Sequence, residues 1–143
     1  MLRFDHVGVV VDDLDAAVGF FLALGFERAG EALVEGDDVD GINGLHGVRA
    51  KILMVRTPDG TGKLELVKYH SPADGGAPRA EPANRPGFRH ICIEVDGLAA
   101  IVERLRARGL DTVGEIREYG DSWRLCYVRG PEGLIVELAQ RLE

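Results

Sequence analysis

The chain has 143 residues, 45% of them hydrophobic, and a formal net charge of −7. That length suits one compact unit with a real core. So acidic a balance argues against nucleic acid as a partner, no apolar run approaches membrane-spanning length, and no basic-apolar signal segment precedes the first strand.

In chain order, Arg3 to Val11 reads as a strand, and Asp12 or Asp13 can cap the helix that follows. Leu14, Ala17, Val18, Phe21 and Leu22 recur there at helical spacing, and Gly25 stands where a C-terminal cap belongs. Strands are expected at Phe26 to Glu35, Val48 to Arg56 and Lys63 to His70. The acidic, Gly-rich stretch from Gly36 to Gly47 reads as a long loop, with Asp37, Asp38 and Asp40 solvated. The Pro-, Ala- and Gly-rich residues 71–87 read as a linker. Beyond it come a strand at Arg89 to Val95 and a helix capped by Asp96, with Leu98, Ile101, Val102 and Leu105 on its apolar face. Strands then follow at Leu110 to Arg117, Trp123 to Arg129 and Leu134 to Ala139. The order is βαβββ, twice, which divides the chain into module one (1–70), a linker (71–87) and module two (88–143). Each half would be marginal alone, so the two are expected to share a sheet.

The repetition extends to residues. Phe4 to Phe26 and Phe88 to Leu110 align without a gap at an offset of 84, with nine of 23 positions identical. Chance would give about one or two. His6 and His90 are among the nine. The ends match as well: Thr57-Pro-Asp-Gly60 leads into the strand of Glu65, and Gly130-Pro-Glu-Gly133 into the strand of Glu137.

Strand alternation places Leu64 and Leu66 opposite Glu65, and Leu134, Val136 and Leu138 opposite Glu137. Ile91, Ile93 and Val95 oppose His90 in the same way. Four polar side chains, His6, Glu65, His90 and Glu137, are thereby expected on helix-free faces, where they could converge in a cup. Two imidazoles and two carboxylates form a nitrogen and oxygen set suited to Zn, Ni, Co, Fe or Mn. The competing reading makes the histidines ordinary sheet residues and the glutamates solvated. His46 and His70 read as surface histidines, with a pocket-lining place as the alternative for His46; Cys92 shares strand parity with His90 and could face the cup, but reads first as a small buried filler; Arg104, Arg106 and Arg108 read as an exposed helix side. One of two alternating sets, Trp123, Leu125 and Tyr127 or Arg124, Cys126 and Val128, faces the cup. Cys92 and Cys126 lack metal, redox or disulfide-scaffold spacing, which fits a reducing cytoplasm.

The duplicated order, the paired histidines and the glutamates after PDG and PEG turns resemble the vicinal oxygen chelate superfamily. That superfamily includes glyoxalase I, methylmalonyl-CoA epimerase, extradiol dioxygenases, and bleomycin and fosfomycin resistance proteins. The resemblance covers nearly the whole chain. It implies an α+β fold, two tandem βαβββ modules forming a cup-shaped mixed sheet with helices outside, around one divalent metal ion. The His6, Glu65, His90, Glu137 order matches bacterial glyoxalase I, while GFRHICIEVDGL and GLIVELAQ look more like the epimerases. Epimerases carry Gln where Glu65 stands, and a catalytic Glu where this chain reads Gly44-Leu45-His46-Gly47-Val48.

The implied activity is that of a metal-dependent lyase or isomerase acting on a small carbonyl or thioester substrate. It would work by proton abstraction and enediolate stabilisation, with Glu137 or Glu65 as base. An Fe(II) extradiol-type dioxygenase using two histidines and Glu137, or a metal-free drug- or metabolite-binding resistance protein, are the other activities the superfamily offers. A homodimer without membrane or nucleic-acid partners is expected.

Overall fold

A computed structural model describes all 143 residues as nine strands and three helices. They form two compact units, Met1–Pro78 and Arg79–Glu143.

In the first unit, β1 (Val7–Val10) leads to α1 (Leu14–Leu24), β2 (Glu27–Glu35), α2 (Asp37–Asn43), β3 (Arg49–Arg56) and β4 (Lys63–Ser71). The sheet order is β1-β4-β3-β2. β1 runs parallel to β4, with Val7 opposite Leu64 and Gly8 opposite Glu65, and the other pairs are antiparallel. Of the two candidate caps for α1, Asp13 does the work: its Oδ1 accepts the Ala16 N–H at 3.0 Å. Gly25 ends the helix in the left-handed region at φ 112°, which a side chain would resist. α1 buries Leu14, Ala17, Val18, Phe20, Phe21 and Leu24 across β2, β3 and β4. Phe21 packs edge-on against Phe20 at 5.1 Å and Phe26 at 5.4 Å. Leu64 and Leu66 meet this core and leave Glu65 on the other face.

The stretch expected as a loop is helical instead. α2 is held from outside rather than by its own sequence. Asp40 is not merely solvated: its two carboxylate oxygens accept the backbone N–H groups of Gly47 (2.9 Å) and Val48 (2.8 Å). Those bonds hold its carboxyl below the usual aspartate value. Tyr69 of β4 donates to Asn43 Oδ1 at 2.6 Å, and Val39 packs on buried Val48, Ala50 and Val67.

In the second unit, β5 (His90–Glu94) leads to α3 (Leu98–Ala107), β6 (Asp111–Thr112), β7 (Arg117–Tyr119), β8 (Trp123–Arg129) and β9 (Ile135–Arg141). The order is β5-β9-β8-β6, with β7 also on β8. β5 is parallel to β9, as β1 is to β4. α3 presents Leu98, Ile101, Val102 and Leu105 to the core, and its arginines stay outside. Three expectations are corrected here. The two halves do not share a sheet, because each closes its own hydrogen-bond ladder. The strand expected over 110–117 is split into β6 and β7. Asp96 does not cap α3: the N-cap is Gly97 in the left-handed region at φ 68°, and Gln140 of β9 accepts the Leu98 N–H at 2.9 Å.

Candidate functional site

Each unit carries one histidine–glutamate pair on the face its helix leaves open. In the first unit His6 precedes β1 and Glu65 lies in β4. The parallel register brings them together, with His6 Nε2 3.5 Å from Glu65 Oε2. In the second unit His90 opens β5 and Glu137 lies in β9, with Nε2 3.2 Å from Oε2. The duplication noted in the sequence is thus a duplication of geometry. Two ligands bound about 2.1 Å from one ion stand roughly 3.0–3.4 Å apart, so both spacings fit adjacent ligands of a divalent metal. Within either unit the pair is two donors, and no third His, Cys, Asp or Glu completes a cage.

The surroundings of the two pairs differ. Asp5 Oδ2 lies 2.7 Å from His6 Nδ1, while Asp5 Oδ1 accepts from Lys63 Nζ at 3.1 Å. His6 and Lys63 both lower the Asp5 carboxyl, the histidine hydrogen bond most. A carboxylate on Nδ1 holds the imidazole with Nε2 available as a donor, as in metal centres where a second group orients the ligand. Nothing in the duplication pointed to Asp5, because the matching position is Arg89.

On the second unit, the ring of Tyr127 lies 4.8 Å from that of His90, tilted by 37°. Tyr127 also sits opposite Glu137 in the β8–β9 register. This resolves the alternation in β8: the Tyr127 set shares the face of His90, and Cys126 and Val128 are buried toward α3. Cys92 corrects the sequence reading. It is exposed and stands opposite Glu137 on the same face. The protein on its inner side partly desolvates the thiol and pushes it up, and the Glu137 carboxylate, which accepts from it, adds to the rise. Cys126 is the buried filler, its thiol pushed up to about 11 chiefly by burial. Glu137 is the less exposed glutamate, at 19% against 30% for Glu65. His46 and His70 are exposed and stand apart from either pair.

Three similarities bear on this arrangement. A glyoxalase family protein of Bacillus cereus, known from its crystal structure, is 37% identical, with a TM-score of 0.95 over 100% of this chain and 96% of that one. An ethylmalonyl-CoA/methylmalonyl-CoA epimerase of Cereibacter sphaeroides is 30% identical over 96% of this chain and 97% of its own length. The human mitochondrial methylmalonyl-CoA epimerase is 27% identical over 96% of this chain and 73% of its own length. No helix is long and apolar enough to cross a membrane. The family model of the glyoxalase/bleomycin resistance protein/dioxygenase superfamily matches residues 5–127, a span that takes in His6, Glu65 and His90 and stops short of Glu137. The chain belongs to that superfamily.

Proposed function

We propose that the protein is a metal-dependent lyase or isomerase acting on a small carbonyl or thioester substrate. The observation that carries this reading is the repeated pair: His6 with Glu65 at 3.5 Å, and His90 with Glu137 at 3.2 Å. Together they supply two imidazole nitrogens and two carboxylates, the set for one divalent Zn, Ni, Co, Mn or Fe ion. Such an ion, when bound, polarises a substrate carbonyl and makes the neighbouring C–H more acidic.

The protein's own groups do the rest. His6 and His90 hold their ring nitrogens toward the glutamates, and Asp5 fixes the His6 ring from behind. One glutamate takes the proton from the carbon beside the carbonyl and returns it. Glu137 is the better base. It lies between buried Ile135 and Ala139 on its strand, is more enclosed than Glu65, and has Tyr127 and Cys92 beside it. The similarity to epimerases named for CoA thioesters supports a thioester substrate.

A homodimer belongs to the same reading. Phe4, Val10 and Leu33 of the first unit are largely exposed, and a two-fold partner would cover apolar residues of this kind. Light scattering should give twice the 15.5 kDa of one chain. A monomer at micromolar concentration refutes this part.

Metal analysis of protein purified without a polyhistidine tag tests the centre. One divalent ion per chain is expected, with His6→Ala and His90→Ala each losing most of it. Full metal content in both variants overturns the assignment. The chemistry is tested in D₂O with 2-substituted acyl thioesters and hemithioacetals. Deuterium should enter beside the carbonyl, and Glu137→Gln should spare much of the metal binding while slowing turnover about 10²–10⁴-fold. Turnover that consumes oxygen without proton exchange would establish an oxygenase instead.

A further inference from the structure

The open face of the second unit continues past Glu137. On this face β9 carries Glu137, Ala139 and Arg141, and β8 answers with Tyr127, Leu125 and Trp123 at the same three levels. Glu94 of β5 stands beside Ala139, and Tyr119 of β7 stands beside Trp123. Two contacts shape the far end. The guanidinium of Arg141 lies 4.5 Å from the Trp123 ring centre, and its Nε is 3.5 Å from Glu94 Oε1. The face thus runs from a carboxylate at one end to a cation at the other, over a floor of Ala139 and Leu125.

Arg141 is held there with donors to spare. Stacking on the indole fixes the plane of the guanidinium and leaves its edge free for hydrogen bonds. Nε reaches Glu94 only at the outer limit of a hydrogen bond, and both side chains are more than half exposed (65% and 58%), so that ion pair is worth little. Nη1 and Nη2 have no acceptor in the protein. The first unit treats the same positions differently. Tyr69 stands four residues beyond Glu65, as Arg141 stands beyond Glu137, and it spends its hydroxyl on Asn43 of α2. Val10 stands where the repeat has Glu94. The charged end is therefore a feature of the second unit and not of the repeat.

We propose that Arg141, stacked on Trp123, binds a carboxylate at the far end of the substrate whose reacting carbon meets Glu137. The guanidinium edge matches the two oxygens of a carboxylate at once, and that bidentate contact would displace the weaker one to Glu94. Glu94 nearby disfavours a doubly charged phosphate and suits a singly charged group. Four residues of strand separate Glu137 from Arg141, about 13 Å, which a chain of about ten covalent bonds crosses. The proposal rests on the reading of Glu137 as base and narrows it. The substrate is a carbonyl or thioester compound with a carboxylate tail, and Arg141 determines specificity for that tail without taking part in proton transfer.

Trp123 is the only tryptophan in the chain, so its fluorescence reports on this end directly. The full chain, with chelator present, is titrated with thioesters that carry a carboxylate about ten bonds from the carbonyl, on the acyl side in one arm and on the thiol side in the other. The methyl ester of each is the comparison. The acid should change Trp123 emission saturably and bind about tenfold or more tightly than its ester, since a charge-assisted contact separates the two. The arm that shows the difference identifies which side of the carbonyl bears the tail. Arg141→Gln should bring acid and ester to equal affinity. Arg141→Lys should keep part of the preference, because it keeps the charge without the fork. Glu94→Gln should raise the preference by removing the competing carboxylate. Arg124→Gln, on the opposite face of β8, should leave it unchanged. Equal affinity for acid and ester in both arms, or no binding of either at millimolar probe, overturns the proposal. So does a preference that survives Arg141→Gln, or one lost equally in Arg124→Gln. Arg141 is exposed, so substitution there leaves the core intact. Chelated protein is used throughout, so the outcome is separate from the metal and proton-exchange tests of the proposed activity.

Discussion

Asp5 backs His6 at 2.7 Å, and the position that matches Asp5 in the second unit holds Arg89. The two halves have kept the histidine and the glutamate and have diverged in what stands behind the histidine. His6 is fixed by a carboxylate, whereas His90 is flanked by the ring of Tyr127. Symmetric donors thus sit in unsymmetric settings, and the first unit has the better-oriented imidazole.

Asp5→Asn should weaken metal retention about 10–100-fold, the usual effect of removing the group that orients a ligating histidine. Competition with a chromophoric chelator measures it. Tyr127→Phe, which keeps the ring beside His90, should change retention far less. Equal effects from the two changes would remove the special place given to Asp5.

Thiol reactivity should separate the cysteines. Cys92 is exposed and Cys126 is buried with its thiol pushed up to about 11. An aromatic disulfide reagent at mildly alkaline pH should titrate one thiol in the folded protein and the second only on unfolding. Bound metal should slow the first reaction, because Cys92 stands opposite Glu137. Labelling of both thiols at one rate in native protein would contradict the placement.

Asp40 gives a pH-dependent prediction. Its folded carboxyl ionises below the usual 3.8 because it accepts from Val48 first and Gly47 second. The folded state therefore favours the ionised form. The tie is complete well above pH 3.8 and is lost as pH falls below that value and through the lower folded pKa. Amide exchange at Gly47 and Val48 should accelerate across that acidic range, relative to strand amides of β3. Asp40→Asn should show the faster exchange already at neutral pH. Unaltered exchange in the variant would mean that α2 is held by Tyr69 and Val39 alone.

Two phenylalanines should differ widely in their stability effects. Phe21 is 2% exposed and touches two other rings, while Phe88 is fully exposed. Phe21→Ala should cost about 3–5 kcal/mol in denaturant unfolding, and Phe88→Ala should stay within about 0.5 kcal/mol. A comparable loss from Phe88 in dilute monomeric protein would mean that this residue is packed after all.

Much of the architecture was legible because it is local or repeated. α1 and α3 follow from the spacing of Leu14 and Leu98 with their apolar neighbours. The two His–Glu pairs follow from a repeat that survives in nine aligned positions. What escaped depends on partners distant in sequence. DDVDGIN has no apolar periodicity, and its helix is held by Gly47, Val48 and Tyr69. The α3 cap comes from Gln140, 42 positions beyond Leu98, so Asp96 was a reasonable but wrong choice. Cys92 shares strand parity with His90, and its register with Glu137 bears out that outward alternative over the buried filler preferred for a small thiol in an apolar strand. Asp5 was missed because a charged residue at a strand entry looks solvated until its histidine contact is seen.

In each unit the first strand pairs in parallel with the last: Val7 lies opposite Leu64, and His90 opposite Ile135. During synthesis, then, β1 and β5 emerge long before the strands that complete them, and each spends that interval as a naked apolar ribbon. Arg3 and Asp5 ahead of β1, and Arg89 ahead of β5, put charge at the open ends of those ribbons, where it discourages pairing with another nascent chain. Replacing Arg3 and Asp5 together with alanine should therefore lower the soluble yield on expression more than it lowers the stability of protein already folded.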